Sequence, residues 1–491
     1  MTFLKHPGCI YVGGEWQPTE QREAVINPAD ESVLIEAPVG SAAQVEAAIA
    51  AARHAFDYSD WPRLPMTQRQ AAMTRFLDAI DARKDEIIAM IVAEAGATQM
   101  LAEFMQYGIP MKHARRTVEV ASRPAITPLP LEFTPNAQGG TTLGTGVVSR
   151  EPVGVVAAIS PYNFPFFLNI GKVVPALVVG CTVVLKPSPY TPMEALILGE
   201  IADEAGLPKG VFSVVTGDVE AGQLLTTDPR VDLIHFTGSD KVGSLIQAQS
   251  APTLKRNVME LGGKSALIVR ADADLQQAAA MGLMGFVMHC GQGCALTTRH
   301  LVHNSVRPQF VEMLKGMLAH VKIGNPADPS VSYGPLIREV ARKRTEEYVA
   351  IAQDEGAALV AGGKRPAGLD KGFFFEPTLF DNVRNDSRLA QEEVFGPIGA
   401  VIGFDDDDEA ITKANASDFG LSGAIYSGDP GKAFEMALRI RTGGVSINGG
   451  AGTMQSDAPF GGIKRSGYGR EYGEEGLNEF TYQKVISFHA A

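Results

Sequence analysis

The chain has 491 residues, 45% of them hydrophobic and 20% charged, and a formal net charge of −13. This length allows two or three domains around a large core, and the composition is that of an ordinary globular protein. The acidic balance argues against nucleic acid or an anionic membrane as partner. Four cysteines (Cys9, Cys181, Cys290, Cys294) are too few for a disulfide framework.

Residues 1–8 lack a charged-then-apolar leader. The longest apolar stretch, 273–290, carries Asp274, Gln276, Gln277 and His289 and falls short of the roughly 20 residues of a membrane span. A cytoplasmic protein with reduced thiols is expected. Ser41 and Gln44 form a capping box ahead of an Ala-rich helix running to Phe56. Thr67 and Gln70 repeat the pattern before a second helix carrying Leu77, Ile80, Ile87, Ile88 and Ile91.

Between residues 123 and 150 the character changes. Pro124, Pro128, Pro130 and Pro135 break helix, and the Asn-Ala-Gln-Gly-Gly run at 136–140 reads as a hairpin tip. A projecting β-arm is expected, with the alternating tail 479–489 as its partner. Exposed arms pair with other chains, which predicts an oligomer.

From Val153 strand-like runs alternate with helices, at 153–159, 182–185, 211–215, 233–236 and 265–269. A helix at 192–205 opens with a Thr191/Glu194 capping box and Pro192 at its first position. The pattern predicts an α/β fold with a parallel sheet that binds ligands at its carboxyl edge. A second region, about 272–462, has its own apolar runs and turn signals, and a cleft between the two would suit a cofactor and substrate. The acidic run 405–409 reads as a solvated loop.

Cys294 ends Gly291-Gln292-Gly293-Cys294, just after an apolar helix-like segment. A thiolate attacks carbonyl carbon, and small neighbours admit a substrate. Glu260, in the glycine-rich turn Met259-Glu260-Leu261-Gly262-Gly263-Lys264, supplies a carboxylate that can activate water. Asn163, in Pro161-Tyr162-Asn163-Phe164-Pro165, has a proline-stiffened backbone that suits an oxyanion donor. Lys186 and Ser188 stand at a strand end and suit ribose hydroxyls or phosphate. The turn from Phe236 through Gly238 and Ser239 to Gly243 suits a pyrophosphate. The chain lacks the common Gly-x-Gly-x-x-Gly fingerprint here, so these fragments alone leave the ligand open. Cys290 and Cys294 are spaced as metal ligands can be, but without a second pair no metal is expected.

The order Asn163, Lys186, Ser239, Glu260, Cys294, then Glu393-Val394-Phe395-Gly396-Pro397 and Pro459-Phe460-Gly461-Gly462, resembles the aldehyde dehydrogenase superfamily. The likeness runs from about Tyr11 to Ser487 and includes the closing Gly469-Arg470-Glu471-x-Gly473. It implies an aldehyde dehydrogenase-like fold. A Rossmann-type coenzyme domain would occupy 1–126 and 150–261, an α/β catalytic domain 262–465, and an oligomerisation arm 127–149 and 478–491. A homodimer or homotetramer would follow.

The resemblance makes Cys294 the nucleophile, Asn163 with the Cys294 N–H the oxyanion hole, and Glu260 the deacylation base. Lys172 and Glu471 match a proton relay. Pro161, Tyr162, Lys186, Ser188, Gly217, Gly238, Ser239, Gly243 and Leu261 match coenzyme-site positions, with Glu393 and Phe395 at the nicotinamide end. NAD is the expected coenzyme. Pro189 replaces the carboxylate that many NAD-dependent relatives carry, so NADP is rejected less firmly. Gly171, the small residues 449–452 and the pair Phe166 and Phe167 suggest a wide apolar tunnel for an aromatic or longer apolar aldehyde. A semialdehyde dehydrogenase and a CoA-acylating enzyme are the alternatives, and Glu260 speaks against the latter.

Overall fold

Strands buried on both faces need helices above and below them. Val155–Ile159, Thr182–Lys186 and Leu233–Thr237 are buried at every position. In a computed structural model, which describes residues 4–121 and 125–489, they form the centre of an eight-stranded sheet. Its order is Glu15–Pro18, Cys9–Val12, Phe212–Val214, Thr182–Lys186, Val155–Ile159, Leu233–Thr237, Arg256–Glu260, Gly467–Tyr468. The five strands from Phe212–Val214 to Arg256–Glu260 are parallel. The sheet grows outward in both directions from the pair Val155–Ile159 and Leu233–Thr237. The connections beyond their carboxyl ends therefore diverge and open a crevice.

A second sheet has seven strands, ordered Ala358–Ala361, Thr378–Asp381, Ile398–Phe404, Arg299–His303, Ala266–Val269, Gly423–Tyr426, Ser446–Ile447. Only Ala358–Ala361 runs antiparallel to its neighbour. The run expected at 265–269 thus belongs to this sheet. Each sheet has its own apolar core.

The β-arm is built on Thr141–Pro152. Thr481–His489 pairs along one edge, with Val147 opposite Ile486, and Ile126–Pro128 and Glu132–Pro135 pair along the other. Arg123 and Pro124 lie outside the described residues. The arm leaves Ile126, Leu131, Phe133, Val485 and Phe488 exposed. Among the described residues no helix is long and apolar enough to cross a membrane.

The expected helix starts fare unequally. Ser41 and Gln44 do cap each other's backbone at the start of Ala42–Tyr58. Thr67 does not cap, because the helix Met66–Ala82 already begins after Pro65, and the Gln70 amide donates to the Val118 carbonyl at 2.6 Å. That helix also stops at Arg83 (φ −111°), whose guanidinium holds Glu200 at 2.7 Å and Glu86 at 2.8 Å. Ile87, Ile88 and Ile91 belong to a separate helix, Lys84–Ala95.

The Thr191/Glu194 capping box is absent too. The Thr191 hydroxyl and the Glu194 carboxyl are buried without partners. The N–H of Met193 instead donates to both oxygens of Glu94, at 3.2 Å each. The start of Met193–Glu204 is buried, so water cannot satisfy its free N–H groups, and a carboxylate from the neighbouring helix does. The acidic run 405–409 is likewise a helix start. Asp406 accepts the N–H of Glu409 at 2.9 Å and caps Asp407–Asn415, where negative charge is favoured.

Replacing the internal cap tests this reading. Glu94→Ala should lower stability by about 1–2 kcal/mol, measured as a lower thermal unfolding midpoint. Glu94→Gln keeps an acceptor oxygen and should lose less.

Candidate active site

Glu260 is the last residue of the strand Arg256–Glu260, paired with Thr237, so it stands at the carboxyl edge of the first sheet and not within a turn. The glycine-rich turn follows it. Ser466 fixes this turn: its carbonyl accepts the Leu261 N–H at 3.0 Å, and its hydroxyl donates to the Gly262 carbonyl at 2.7 Å while accepting the Gly420 N–H at 2.9 Å. The turn's two glycines carry no side chains because none fits. A Cβ on Gly262 would collide with the Glu393 carboxylate, and one on Gly263 with the carbonyl oxygen of Cys294. The Gly263 N–H donates to Glu393 Oε1 at 3.0 Å.

Cys294 follows the helix Leu275–Val287 and the tight turn Met288–Gly291, in which His289 (φ 47°) and Cys290 (φ 56°) are left-handed. Such conformations cost energy and persist only where surroundings enforce them. Here the Cys290 thiol bonds the Gly334 carbonyl at 2.9 Å, and Gln292 Oε1 accepts the Ile337 N–H at 3.0 Å. Cys290 is fully buried, whereas Cys294 keeps partial exposure. Asn163 reaches this loop from the first sheet, its Nδ2 donating to the Gln292 carbonyl at 2.9 Å.

Burial pushes the Cys294 thiol up to about 12, and Glu393, Glu260 and Glu471 add repulsion. Burial also holds Glu260 well above the usual carboxylate range, reinforced by the charge of Glu471, and both of its oxygens lack partners. The resting thiol is therefore protonated, and Glu260 holds a proton more firmly than an ordinary carboxylate. Glu471 behaves oppositely. Burial opposes its ionisation, but Lys172 and His235 overcome that and bring it down to about 2. Lys172 Nζ lies 2.7 Å from Glu471 Oε1 and donates to Thr237 Oγ1 at 2.7 Å. His235 Nε2 is 2.7 Å from the same Glu471 oxygen, and burial drives its ring down to about 4, so it is neutral. The sequence reading missed His235; its one signal is a polar residue inside the apolar run Leu233–Thr237.

The remaining predicted residues line the crevice. Lys186 ends the strand Thr182–Lys186, donates to the Pro187 carbonyl at 2.9 Å, and has no ion-pair partner among the described residues; burial lowers it to about 8. Ser188 accepts the Tyr190 N–H at 3.2 Å. One expected pyrophosphate donor, the Gly238 N–H, is already engaged, whereas the Ser239 hydroxyl only accepts and keeps its proton to donate. The Ser239 hydroxyl caps Asp240–Ser250 through the Val242 N–H, and the Gly238 N–H bonds the Glu260 carbonyl at 3.1 Å. The first-turn N–H groups of Asp240 and Lys241 remain for an anion. Gly243 lets that helix pack on Leu261, and Gly217 follows the Phe212–Val214 strand with φ 138°. Across the crevice, burial raises Glu393 to about 7, and Phe395 meets the ring of Tyr162, next to Pro161, edge-on at 6.0 Å.

Two expectations about the tunnel need correction. Phe166 lines nothing: it is fully buried and stacks on Tyr107 at 5.3 Å. The space opened by Gly171 is filled, because a Cβ there would lie 2.8 Å from the Tyr472 hydroxyl. Phe167 does face this region, edge-on to Tyr472 at 5.8 Å. Arg299 is structural, bonding the carbonyls of Lys264 and Ala414 at 2.9 and 3.0 Å.

Residues 16–486 match the model of the Aldehyde dehydrogenase family. The chain is 38% identical over 481 residues to a 3-succinoylsemialdehyde-pyridine dehydrogenase from a Pseudomonas species, covering 97% of this chain and 98% of that one. Among solved structures it resembles betaine aldehyde dehydrogenase from Staphylococcus aureus in complex with NAD+ (TM-score 0.94, 34% identity, 99% and 96% of the two chains). It also resembles a mutant of aldehyde dehydrogenase C from Pseudomonas syringae in complex with NAD+ and octanal (TM-score 0.91, 35% identity, 98% and 96%). With likeness running from the strand Glu15–Pro18 into the C-terminal strand of the arm, the chain belongs to the aldehyde dehydrogenase family.

Proposed function

We propose that the protein oxidises an apolar aldehyde, aromatic or longer-chain, to its carboxylic acid, with NAD as coenzyme and Cys294 as nucleophile. The observation that carries this reading is the buried, unpartnered carboxyl group of Glu260 in electrostatic range of the Cys294 thiol. A base with a raised proton affinity beside a protonated nucleophile matches a reaction that needs proton removal twice.

The crevice fits NAD. An unpaired buried ammonium and a helix N-terminus share the carboxyl edge of the sheet, where diphosphates and ribose hydroxyls are held in such folds. Lys186, Ser188, Gly217, Gly238, Ser239 and Gly243 would hold the adenosine and diphosphate half. Pro161, Tyr162, Leu261, Glu393 and Phe395 would hold the nicotinamide half. Bound there, NAD supplies the hydride acceptor. Two of the solved relatives above contain NAD+, which supports this assignment.

Glu260, as carboxylate, takes the Cys294 proton, and the thiolate adds to the aldehyde carbon. The resulting oxyanion is received by the Asn163 amide and the Cys294 N–H. Once the carbon is oxidised, Cys294 carries a thioester. Glu260 then takes a proton from water, whose oxygen attacks the thioester, and the acid leaves as the Cys294 thiolate is released. Lys172 and Glu471 carry protons away from Glu260. Hydrolysis through Glu260 is the ground for preferring acid over acyl-CoA as product. Arg299 spends its guanidinium on carbonyls, which weighs against a carboxylate-bearing semialdehyde.

Residues 1–126 and 150–261 would form the coenzyme domain and 262–465 the catalytic domain. The arm, 127–149 and 478–491, would join subunits into a dimer or tetramer through its exposed apolar residues. The four free cysteines suit the reducing cytoplasm.

Cys294→Ala should abolish aldehyde oxidation while NAD binding survives, and Cys290→Ala should retain most activity; assays of NADH formation and coenzyme titration decide both. Glu260→Gln should lower the steady rate by about 10²–10⁴-fold, and rapid mixing should show no burst of NADH, because acylation and hydrolysis both draw on this base. In the wild type the hydrolytic step should rise with pH through the raised value of Glu260, above the ordinary carboxylate pKa of about 4.3. The base works deprotonated, so the limb ascends, and Glu260→Gln should erase it. NAD should be preferred to NADP by less than about tenfold, or 1.4 kcal/mol, in kcat/KM, because Pro189 neither repels nor rewards a 2′-phosphate.

A further inference from the structure

Three separate costs converge on Tyr472. Its backbone lies at φ 62° and ψ 167°, a region that side-chain-bearing residues avoid. The reciprocal hydrogen bonds between Phe460 and Glu471, both 2.7 Å, and the Gly476 N–H on the Tyr472 carbonyl at 2.9 Å hold it there. The helix Pro165–Val179 carries a glycine mid-span at Gly171, which weakens helix relative to alanine. That glycine is the one residue type that leaves room for the Tyr472 phenol, whose hydroxyl would lie 2.8 Å from a Cβ at that site. The hydroxyl itself has no hydrogen-bond partner, although the residue is only 8% exposed. Buried tyrosine hydroxyls ordinarily find partners, and leaving one unpaired is unfavourable.

The position of the ring shows where a partner would come from. Tyr472 packs against His113 at 4.6 Å and edge-on to Phe167 at 5.8 Å. Phe167 meets Phe164 edge-on at 6.4 Å, and Phe164 meets His289 at 5.4 Å. This row of rings runs from Tyr472 to the left-handed turn before Cys294, past Asn163. The thiol of Cys294 and the carboxyls of Glu260 and Glu471 all lie in electrostatic range of the phenol and oppose its ionisation after burial has raised it. The hydroxyl is therefore a neutral donor at every working pH. Tyr472 borders a small space together with His113, Thr117, Ile170 and Gly171.

We propose that Tyr472 is a specificity residue whose hydroxyl donates a hydrogen bond to an acceptor on the substrate tail, such as a ketone or ether oxygen several bonds from the aldehyde carbon. The inference rests on the proposed aldehyde oxidation and narrows its substrate class to apolar aldehydes carrying one uncharged acceptor. A site that already holds an unpaired donor discriminates against the analogue that cannot fill it.

The test compares kcat/KM for matched pairs of aldehydes of equal length, one a simple alkanal and the other with a chain CH2 replaced by a carbonyl or ether oxygen at successive positions. The wild type should prefer the oxygen-bearing member by tenfold or more at one position. Tyr472→Phe should remove that preference while leaving alkanal oxidation within about threefold, since a tenfold effect corresponds to 1.4 kcal/mol and an intact alkanal route to far less. Its unfolding midpoint should not fall, because it deletes an unsatisfied hydroxyl. Gly171→Ala, which displaces the phenol, should weaken the same preference with Tyr472 intact. Equal losses on both substrates, or no loss on either, overturn the assignment and leave a buried water as the partner of the hydroxyl. Failure of the wild type to oxidise any aldehyde with NAD overturns the proposed function and this inference together.

Discussion

The active site depends on a close approach of the glycine backbone at 262 and 263 that leaves no room for a Cβ. The turn Leu261–Gly263 leaves the first sheet and passes so close to the second region that the Cys294 carbonyl and the Glu393 carboxylate occupy the space where Cβ atoms would stand. Glycines make the approach feasible, and Ser466 locks it by satisfying three polar groups of adjoining segments at once. Glu260 sits immediately before this turn and Cys294 on its far side, so their separation is set by main-chain geometry. Backbone geometry is stiffer than side-chain rotamers, which suits chemistry that tolerates little misplacement.

The same contact removes water, and that decides the electrostatics. Glu260 and Glu471 are nearly equally buried, yet they are pushed in opposite directions. Glu471 has Lys172 and His235 against one oxygen and stays ionised; Glu260 has neither and faces the charge of Glu471 instead. Two carboxyls with separated proton affinities are the usual way for a site to divide acid and base duties. Neutral His235 stabilises Glu471 without adding charge, and Lys172 is the cation in contact with that carboxylate.

Four of the nine non-glycine residues with positive φ among the described residues lie around the site. His289 and Cys290 before Cys294, Phe395 against Tyr162, and Tyr472 after Glu471 all have positive φ. Two of these places are held by bonds from other segments: Gly334 and Ile337 for the turn before Cys294, Phe460 for the turn at Tyr472. Two large cores provide the stability against which such local costs of about 1–3 kcal/mol can be carried.

Local chemistry was legible in the sequence wherever a segment determines its own structure. The capping box of Ser41, the hairpin tip at 136–140 and the alternation of buried strands with helices follow from short-range hydrogen bonding and apolar periodicity. The resemblance carried by Cys294, Glu260, Asn163 and the closing motif placed the family. The sequence could not show that Glu94 caps a helix about one hundred residues away, or that Thr67 and Thr191 do not cap theirs, because caps in buried ends are supplied by whichever acceptor packing brings near. It also could not show that His235 joins Lys172 on Glu471, or that the opening left by Gly171 is closed by Tyr472. Those outcomes are set by distances between segments remote in the chain, and only the packing of helices around the first sheet fixes such distances.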